Sequence, residues 1–176
     1  MAEFKFPEEK NLVFIGEAGS GKTETAVNLA LRMAREGGRR VHFFDMDQTK
    51  PLFRARDCEA QLEREGVVFH FQAQYLDAPT VASGVIETLR DEGSAVIMDI
   101  GGGSHGSHMI GQFSHLLNSA NTLVLYIVNP FRPWSGSRED IEVTMRRVLG
   151  AARLGSFRLV ANPNLGPETR AEDVLA

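Results

Sequence analysis

The sequence is poor in cysteine and has neither a long hydrophobic run nor an excess of basic residues. Cys58 is the single cysteine among 176 residues, so neither an intramolecular disulfide nor a cysteine-based metal site can form within one chain. No apolar run approaches the ~20 residues that cross a bilayer. Residues 1–10 also lack the hydrophobic region of a signal peptide. We therefore expect a cytoplasmic protein without a membrane partner.

Charge and length narrow the class of protein further. The formal net charge is -4, from 19 basic and 23 acidic residues, which argues against nucleic-acid binding through a broad basic surface. A chain of 176 residues with 43% hydrophobic residues has the size and composition of one domain with its own core. We expect a single domain over residues 1–176, with an N-terminal extension at 1–10 and a C-terminal segment at 163–176.

Six short apolar runs alternate with helical patterns along the chain. Near-continuous apolar strands that are separated by helices are typical of a parallel sheet with both faces covered. We expect an α/β, three-layer fold with a mainly parallel central sheet. The predicted strands lie at 11–15, 41–44, 67–71, 95–98, 123–128 and 157–160, and the predicted helices at 22–36, between 51 and 65, from 77–79 to near 93, at 107–117 and at 137–154.

A glycine-rich segment between the first strand and the first helix has the spacing of a phosphate-binding loop, Gly-x-x-x-x-Gly-Lys-Thr. Glycines let successive backbone N–H groups turn toward the phosphates, and the helix N-terminus adds positive potential. We expect Lys22 to reach the β- and γ-phosphates of ATP and the Thr23 hydroxyl to ligate Mg²⁺. The candidate binding residues are Gly16, Glu17, Ala18, Gly19, Ser20, Gly21, Lys22 and Thr23, together with the next position, Glu24.

Three aspartates follow predicted strands. Asp99 ends a buried strand, where a carboxylate can hold Mg²⁺ directly or through water, and it begins an Asp-x-x-Gly segment that suits a γ-phosphate sensor. The alternative for Asp99 is a helix cap. Asp45 and Asp47 flank Met46, so one could face the phosphates while the other supports it. Their alternative is a pair of solvated turn residues.

Two further groups of residues are candidate binding sites, one for a metal and one for a partner or a base. His105, His108 and His115 would share a helical face, which permits a metal site, although polar surface histidines are the alternative. The segment 130–134 carries aromatic and cationic side chains near the predicted nucleotide site. It is either a packed loop or a contact for a partner or a base.

The motifs together resemble those of the MinD/ParA family of P-loop ATPases. They are the phosphate loop, Asp-x-Asp after the second strand, Asp-x-x-Gly after the fourth strand and Asn-Pro after the fifth. The wider group includes nitrogenase iron protein, CooC-type nickel-insertion ATPases and dethiobiotin synthetase. The likeness runs from residue 11 to about residue 163.

This resemblance implies roles for individual residues. Lys22 and Asp47 would be catalytic, with Asp47 positioning the attacking water. Asp45 would support the metal site and Asp99 would start switch II. Asn162 would approach the adenine.

Glu17 departs from the family pattern, because the family usually carries a lysine there that reaches the partner subunit's phosphates across a dimer. Either Glu17 points away from the partner site, or the dimer-activated mechanism is altered. We predict that ATP alone drives dimerisation poorly. An arginine of the opposite subunit could compensate, and Arg54, Arg132 and Arg138 are the candidates.

The function that these expectations favour is a slow Mg-ATP-dependent ATPase that acts as a switch on a protein partner, with a nucleotide-dependent homodimer as one form. An ATP-dependent small-molecule kinase or ligase of the dethiobiotin synthetase type is an alternative. Another is a nucleotide-binding module without turnover. A GTPase is disfavoured because no Asn-Lys-x-Asp motif follows the fifth or sixth strand.

Overall fold

The computed structural model of the chain describes residues 5–36, 38–47, 55–71 and 84–175. The predicted helix start at 77–79 and the candidate Arg54 lie outside the described residues. The first part of the polar helix expected between 51 and 65 does so as well.

In the described part of the chain, six strands form one sheet in the order β3-β2-β4-β1-β5-β6, and every neighbouring pair is parallel. Each predicted apolar run corresponds to one strand, and the predicted α/β fold with a parallel sheet is confirmed. The strands are β1 (Asn11–Ile15), β2 (Arg40–Met46), β3 (Val68–Phe71), β4 (Ser94–Ile100), β5 (Thr122–Val128) and β6 (Arg158–Ala161).

Helices and short 3₁₀ turns connect the strands. The helices are α1 (Lys22–Glu36), α2 (Glu59–Arg64), α3 (Val85–Arg90), α4 (Gly103–His108), α5 (Ser114–Leu117), α6 (Arg138–Ala152) and α7 (Ala171–Leu175). The 3₁₀ turns are Ala55–Cys58, Met109–Phe113, Pro133–Ser135 and Gly166–Glu168. The longest helices, α1 and α6, have 15 residues each. In the part of the chain that is described, no helix has the length and apolarity of a membrane span.

The sheet has an apolar core on each face because side chains alternate along each strand. In β1, Leu12 and Phe14 pack toward α1 and α2, whereas Val13 and Ile15 pack toward the helices of the other face. That second layer contains α3, the segment from Met109 to Leu117, and α6. All of β1 and β4 is buried, which explains why their sequences are almost continuously apolar.

The helix after β4 differs from its predicted span of 107–117. It begins at Gly103, and the 3₁₀ turn at Met109–Phe113 separates α4 from α5. The turn brings Gly111 against α6, so that a Cβ at this position would lie 3.1 Å from the Ala151 carbonyl oxygen. Close packing of the chain against α6 therefore accompanies the break, and the apolar pattern alone did not reveal it.

Helix α6 begins and ends with identifiable caps. The Asp140 amide donates a hydrogen bond of 3.1 Å to the Ser137 hydroxyl, and Arg153 ends the helix in the left-handed region at φ 56°. The inner face of the helix is apolar, because Val148, Leu149 and Ala152 are buried and Ile141 and Met145 pack against the same core. This packing fixes the rotation of α6 about its axis.

Candidate nucleotide-binding site

The carboxyl edge of the sheet brings the predicted site residues together. Because β1 lies between β4 and β5, the loop after β1 sits between the ends of both strands. In the β2–β4 pair, Asp45 lies opposite Asp99. In the β1–β4 pair, Asp99 lies opposite Phe14, directly below the phosphate loop. Ligands of parallel α/β sheets bind at this edge, beyond the ends of the strands.

The backbone of the phosphate loop requires glycine at two positions. Gly16 has φ 150°, and a Cβ there would lie 2.5 Å from the Ile127 carbonyl oxygen of β5. Gly21 has φ 87° and lies against the side-chain amide of Asn162, which leaves no space for a Cβ. The sequence motif therefore matches a real steric demand of the loop.

Lys22 is the first residue of α1, and its side chain turns back into the loop. The residue is 6% exposed, and its ammonium group donates a hydrogen bond of 2.9 Å to the Glu17 carbonyl oxygen. Burial lowers the pKa of Lys22, and the charges of Asp99, Asp47 and Glu17 oppose that change. The ammonium thus lies inside the loop, among carboxylates that favour its charged form.

Asp99, the penultimate residue of β4, is 1% exposed. Neither of its carboxylate oxygens accepts a hydrogen bond of good geometry from the described residues, although the Thr23 hydroxyl lies nearby. Burial raises its pKa to about 7, while the nearby Thr23 hydroxyl and the charge of Lys22 favour the ionised form. The buried Ser20 hydroxyl also has no partner in the described part of the chain. Buried polar oxygens of this kind suit a bound cation or phosphate.

Arg56 holds the two aspartates at the end of β2. Its Nε donates to the Asp45 carboxylate at 3.0 Å, and its Nη2 donates to the Asp47 carbonyl oxygen at 2.8 Å. The Asp47 amide donates to the other Asp45 oxygen at 3.0 Å. Burial raises the pKa of Asp45, and Arg56 opposes that rise. The role of Arg56 was not predicted from the sequence, because this arginine lies in a polar segment and belongs to no motif.

The glycine run after β4 lies directly on the phosphate loop. The Gly103 amide donates a hydrogen bond of 3.2 Å to the Gly16 carbonyl oxygen. A Cβ at Gly102 would lie 2.8 Å from the backbone of Ala18, and a Cβ at Gly101 would lie 3.0 Å from an Asp47 carboxylate oxygen. The loops after β2 and β4 therefore contact each other and the phosphate loop.

Asparagines on the other side of the phosphate loop bind its carbonyl oxygens. Asn129, after β5, donates to the Gly19 carbonyl at 3.3 Å and to the Asn164 carbonyl at 2.8 Å. Asn162, after β6, donates to the Ser20 carbonyl at 2.8 Å. These amides support the loop from the side opposite to the aspartates.

Residues 12–158 match the family model described as the CobQ/CobB/MinD/ParA nucleotide-binding domain, CbiA. The match spans most of the chain and contains the phosphate loop, all three aspartates and Asn129. The chain belongs to this family. The resemblance that the motifs indicated is thus confirmed, and the site is that of a P-loop nucleotide-binding domain of the MinD/ParA type.

Solved structures of three other proteins share the fold. The signal recognition particle receptor FtsY from Elizabethkingia anophelis, in complex with GDP, has a TM-score of 0.56 and 20% identity, over 89% of this chain and 50% of its own. The cell division protein FtsY from Thermotoga maritima has a TM-score of 0.55 and 20% identity, over 87% and 53%. Chloroplast FtsY from Physcomitrella patens has a TM-score of 0.58 and 18% identity, over 89% and 51%.

The chain spans about half the length of these FtsY chains. At this level of identity the likeness shows the fold alone. A comparison with curated protein sequences finds no match.

Glu17, at the loop position where the resemblance implies a lysine, forms an ion pair within its own chain. Its carboxylate lies 2.6 Å from Nη2 of Arg147 on α6. Arg147 was not among the three candidate arginines. Of those, Arg132 donates to the Gly19 carbonyl oxygen at 3.1 Å, and Arg138 pairs with Glu142 on its own helix.

The other candidate groups lie at the surface. His105, His108 and His115 are exposed, and the described residues contain no group of three or more metal-ligating side chains. In the segment 130–134, Phe131 and Arg132 are exposed and Trp134, within the Pro133–Ser135 turn, is partly buried. The segment is thus a loop that contacts the phosphate loop through Arg132.

Proposed function

We propose that this domain binds Mg·ATP at the loop Gly16–Thr23, hydrolyses it slowly and acts as a nucleotide-dependent switch on a protein partner. The observation that carries the proposal is Asp99. Its buried carboxylate lies near the Lys22 ammonium and the Thr23 hydroxyl, and neither of its oxygens accepts a hydrogen bond of good geometry from the described residues. A carboxylate in such a place gains most from a bound cation, because burial without compensation is costly for a charge.

The donor set fits magnesium and a triphosphate. Mg²⁺ prefers oxygen ligands, and the Thr23 hydroxyl and the Asp99 carboxylate supply two of them. The loop glycines and Lys22 supply N–H donors and positive charge for phosphate oxygens. On binding, the Lys22 ammonium would donate to a phosphate oxygen instead of the Glu17 carbonyl oxygen. A charged acceptor would thus replace a neutral one. Bound magnesium would neutralise charge on the transferred phosphate, while Asp47 would position water.

A switch is supported by the contacts between the three loops. Gly101 and Gly102 lie against Asp47 and Ala18, so a group that binds at the phosphate loop must contact or displace them. Loops that respond to a γ-phosphate in this way provide a common means of signalling to a partner protein.

Adenine is proposed as the base because the Asn-Lys-x-Asp pattern is absent from the sequence. The amide of Asn162 lies at the phosphate loop and offers both a donor and an acceptor. The Elizabethkingia FtsY structure contains GDP. Guanine nucleotides are therefore the competitor that the test must include.

The test is a titration with a fluorescent ATP analogue, with and without Mg²⁺, followed by competition with ATP, ADP and GTP. We expect ATP to compete at lower concentration than GTP, and Mg²⁺ to tighten binding. Lys22→Met should weaken binding at least a hundredfold, because charge-assisted phosphate contacts are lost. GTP competing at far lower concentration than ATP would reverse the base assignment, and no binding of any nucleotide would end the proposal.

Lys10→Met is the matched control for Lys22→Met. Lys10 is also a buried lysine, but it lies at the opposite end of β1, where it donates to the Asp91 carbonyl oxygen at 2.8 Å. Lys10→Met should lower stability without changing nucleotide affinity. Equal losses of affinity in both variants would show that Lys22 acts through general stability instead.

A turnover assay separates the proposal from its alternatives. Phosphate release from ATP alone, faster in wild type than in Asp47→Asn, supports an ATPase. Binding without turnover, even with candidate protein partners, supports a nucleotide-binding module. ADP formation that depends on an added small acid or alcohol supports a kinase or a ligase, and in a kinase the phosphoryl group is recovered on that acid or alcohol instead of as free phosphate.

A further inference from the structure

The Glu17 carboxylate is enclosed by three elements. Its Oε1 lies 2.6 Å from Arg147 Nη2, and its Oε2 lies 3.2 Å from the position that a Cβ would take at Gly103. The side chain is 13% exposed, whereas that of Arg147 is 57% exposed. The acid is therefore held inside, between its own loop, the glycine run and α6, while the arginine reaches it from outside.

A carboxylate at position 17 is expected to repel the phosphates of the proposed nucleotide. Glu17 follows the first glycine of the loop, and its own carbonyl oxygen accepts the hydrogen bond of Lys22. The residue that carries this charge thus lines the place proposed for the phosphates. Like charges repel strongly where solvent screening is weak, and an enclosed carboxylate is poorly screened.

We propose that Arg147 is a positioning residue that makes Glu17 compatible with bound phosphate. The inference rests on the proposed function. Arg147 neutralises the acid and holds its carboxylate toward α6. The pair is thus neutral overall at the position where the resemblance implies a lysine, and its cation is supplied by a helix of the same chain.

Helix α6 is suited to this task because it is firmly anchored. Val148, the residue after Arg147, is fully buried, and the Ser137 cap fixes the start of the helix. An exposed arginine contributes little to stability through an ion pair. The effect of Arg147 should consequently appear in nucleotide affinity far more than in unfolding.

The test is a double-mutant cycle on nucleotide affinity, measured with wild type, Arg147→Ala, Glu17→Ala and the double variant. We expect Arg147→Ala to weaken ATP binding by about tenfold, because one uncompensated and partly screened negative charge then lies near the phosphates. Glu17→Ala should bind at least as tightly as wild type. In the Glu17→Ala background, Arg147→Ala should have little further effect. An equal loss in both backgrounds would show that Arg147 acts independently of Glu17, which would overturn the inference.

Charge dependence distinguishes this role from a merely structural one. The loss in Arg147→Ala should increase from AMP to ADP to ATP and diminish in high salt, and Arg147→Lys should restore most of the affinity. A structural defect would affect the three nucleotides equally. Arg146→Ala is the matched control, because Arg146 is the neighbouring exposed arginine and contacts Glu142 within α6.

The possible failures are distinct. A wild type that binds ATP tightly, with Arg147→Ala unchanged, would overturn the inference and leave the proposed function intact. A wild type that binds none of the nucleotides would overturn the proposed function, and the inference with it.

Discussion

The two sides of the phosphate loop satisfy their polar groups in opposite ways. On the asparagine side, Asn129 is 1% exposed and uses both ends of its amide, since its oxygen also accepts from the Phe131 amide at 3.1 Å and the Asn164 amide at 3.2 Å. On the aspartate side, Asp99 is equally buried and neither of its oxygens accepts a hydrogen bond of good geometry from the described residues.

This difference indicates that the asparagine side supports the phosphate loop, whereas the aspartate side binds the ligand. Neutral amides that pair with backbone groups are satisfied as soon as the chain folds, so they can hold the loop in its shape before any ligand binds. A buried carboxylate without hydrogen bonds costs stability and recovers it when a cation arrives. The aspartate side is therefore where ligand binding should change the protein most.

The largest expected effect concerns Asp99 and pH. Its pKa of about 7 in the folded protein is far above the ordinary value of ~3.9, so the folded state holds a proton that the unfolded state has lost. Stability without nucleotide should fall as pH rises from about 4 to about 7, by roughly 3–4 kcal/mol. Asp99→Asn should flatten this slope, as measured by urea unfolding across that range.

Asp45→Asn is the comparison for that measurement. Asp45 lies opposite Asp99 on β2, but Arg56 offsets the effect of its burial. The Asp45→Asn variant should keep most of the slope. If Asp99→Asn leaves the slope unchanged, the buried carboxylate is not the source of the pH dependence, and the contrast between the two sides weakens.

An intermediate effect is expected on the asparagine side. Asn129→Ala removes two donated and two accepted hydrogen bonds of a buried side chain, which should cost about 2 kcal/mol. Because the loop loses a support, nucleotide affinity should fall as well. Asn118→Ala is the control, since the exposed Asn118 amide makes three hydrogen bonds, against four for Asn129, but lies far from the loop. A loss of nucleotide affinity in Asn118→Ala would contradict the assignment of loop support to Asn129.

The smallest effect is expected for Asp47, and in turnover alone. A carboxylate that positions water acts mainly in the transition state, so Asp47→Asn should lower kcat about tenfold with little change in ATP affinity. Single-turnover hydrolysis and equilibrium titration measure the two quantities separately. If Asp47→Asn loses affinity while Asp99→Asn loses only turnover, the roles of the two aspartates are exchanged.

Much of the fold was predictable because its signals are local. A buried parallel strand needs an apolar run, and all six runs became strands. The phosphate loop was predictable because Gly16 and Gly21 adopt backbone conformations that few other residues reach. The 3₁₀ turn that separates α4 from α5 was not predictable, since it accompanies the close approach of Gly111 to α6.

The sequence by itself determined the strands, the loop and the charged residues that follow each strand, because each depends on neighbours along the chain. Only the tertiary structure decided which basic side chain pairs with which acidic side chain. Arg147 pairs with Glu17 across 130 positions, and Arg56 reaches Asp45 from a segment without a motif. The reason is that these partners depend on the packing of helices against the sheet, which turns one arginine of α6 toward the loop and its neighbour away.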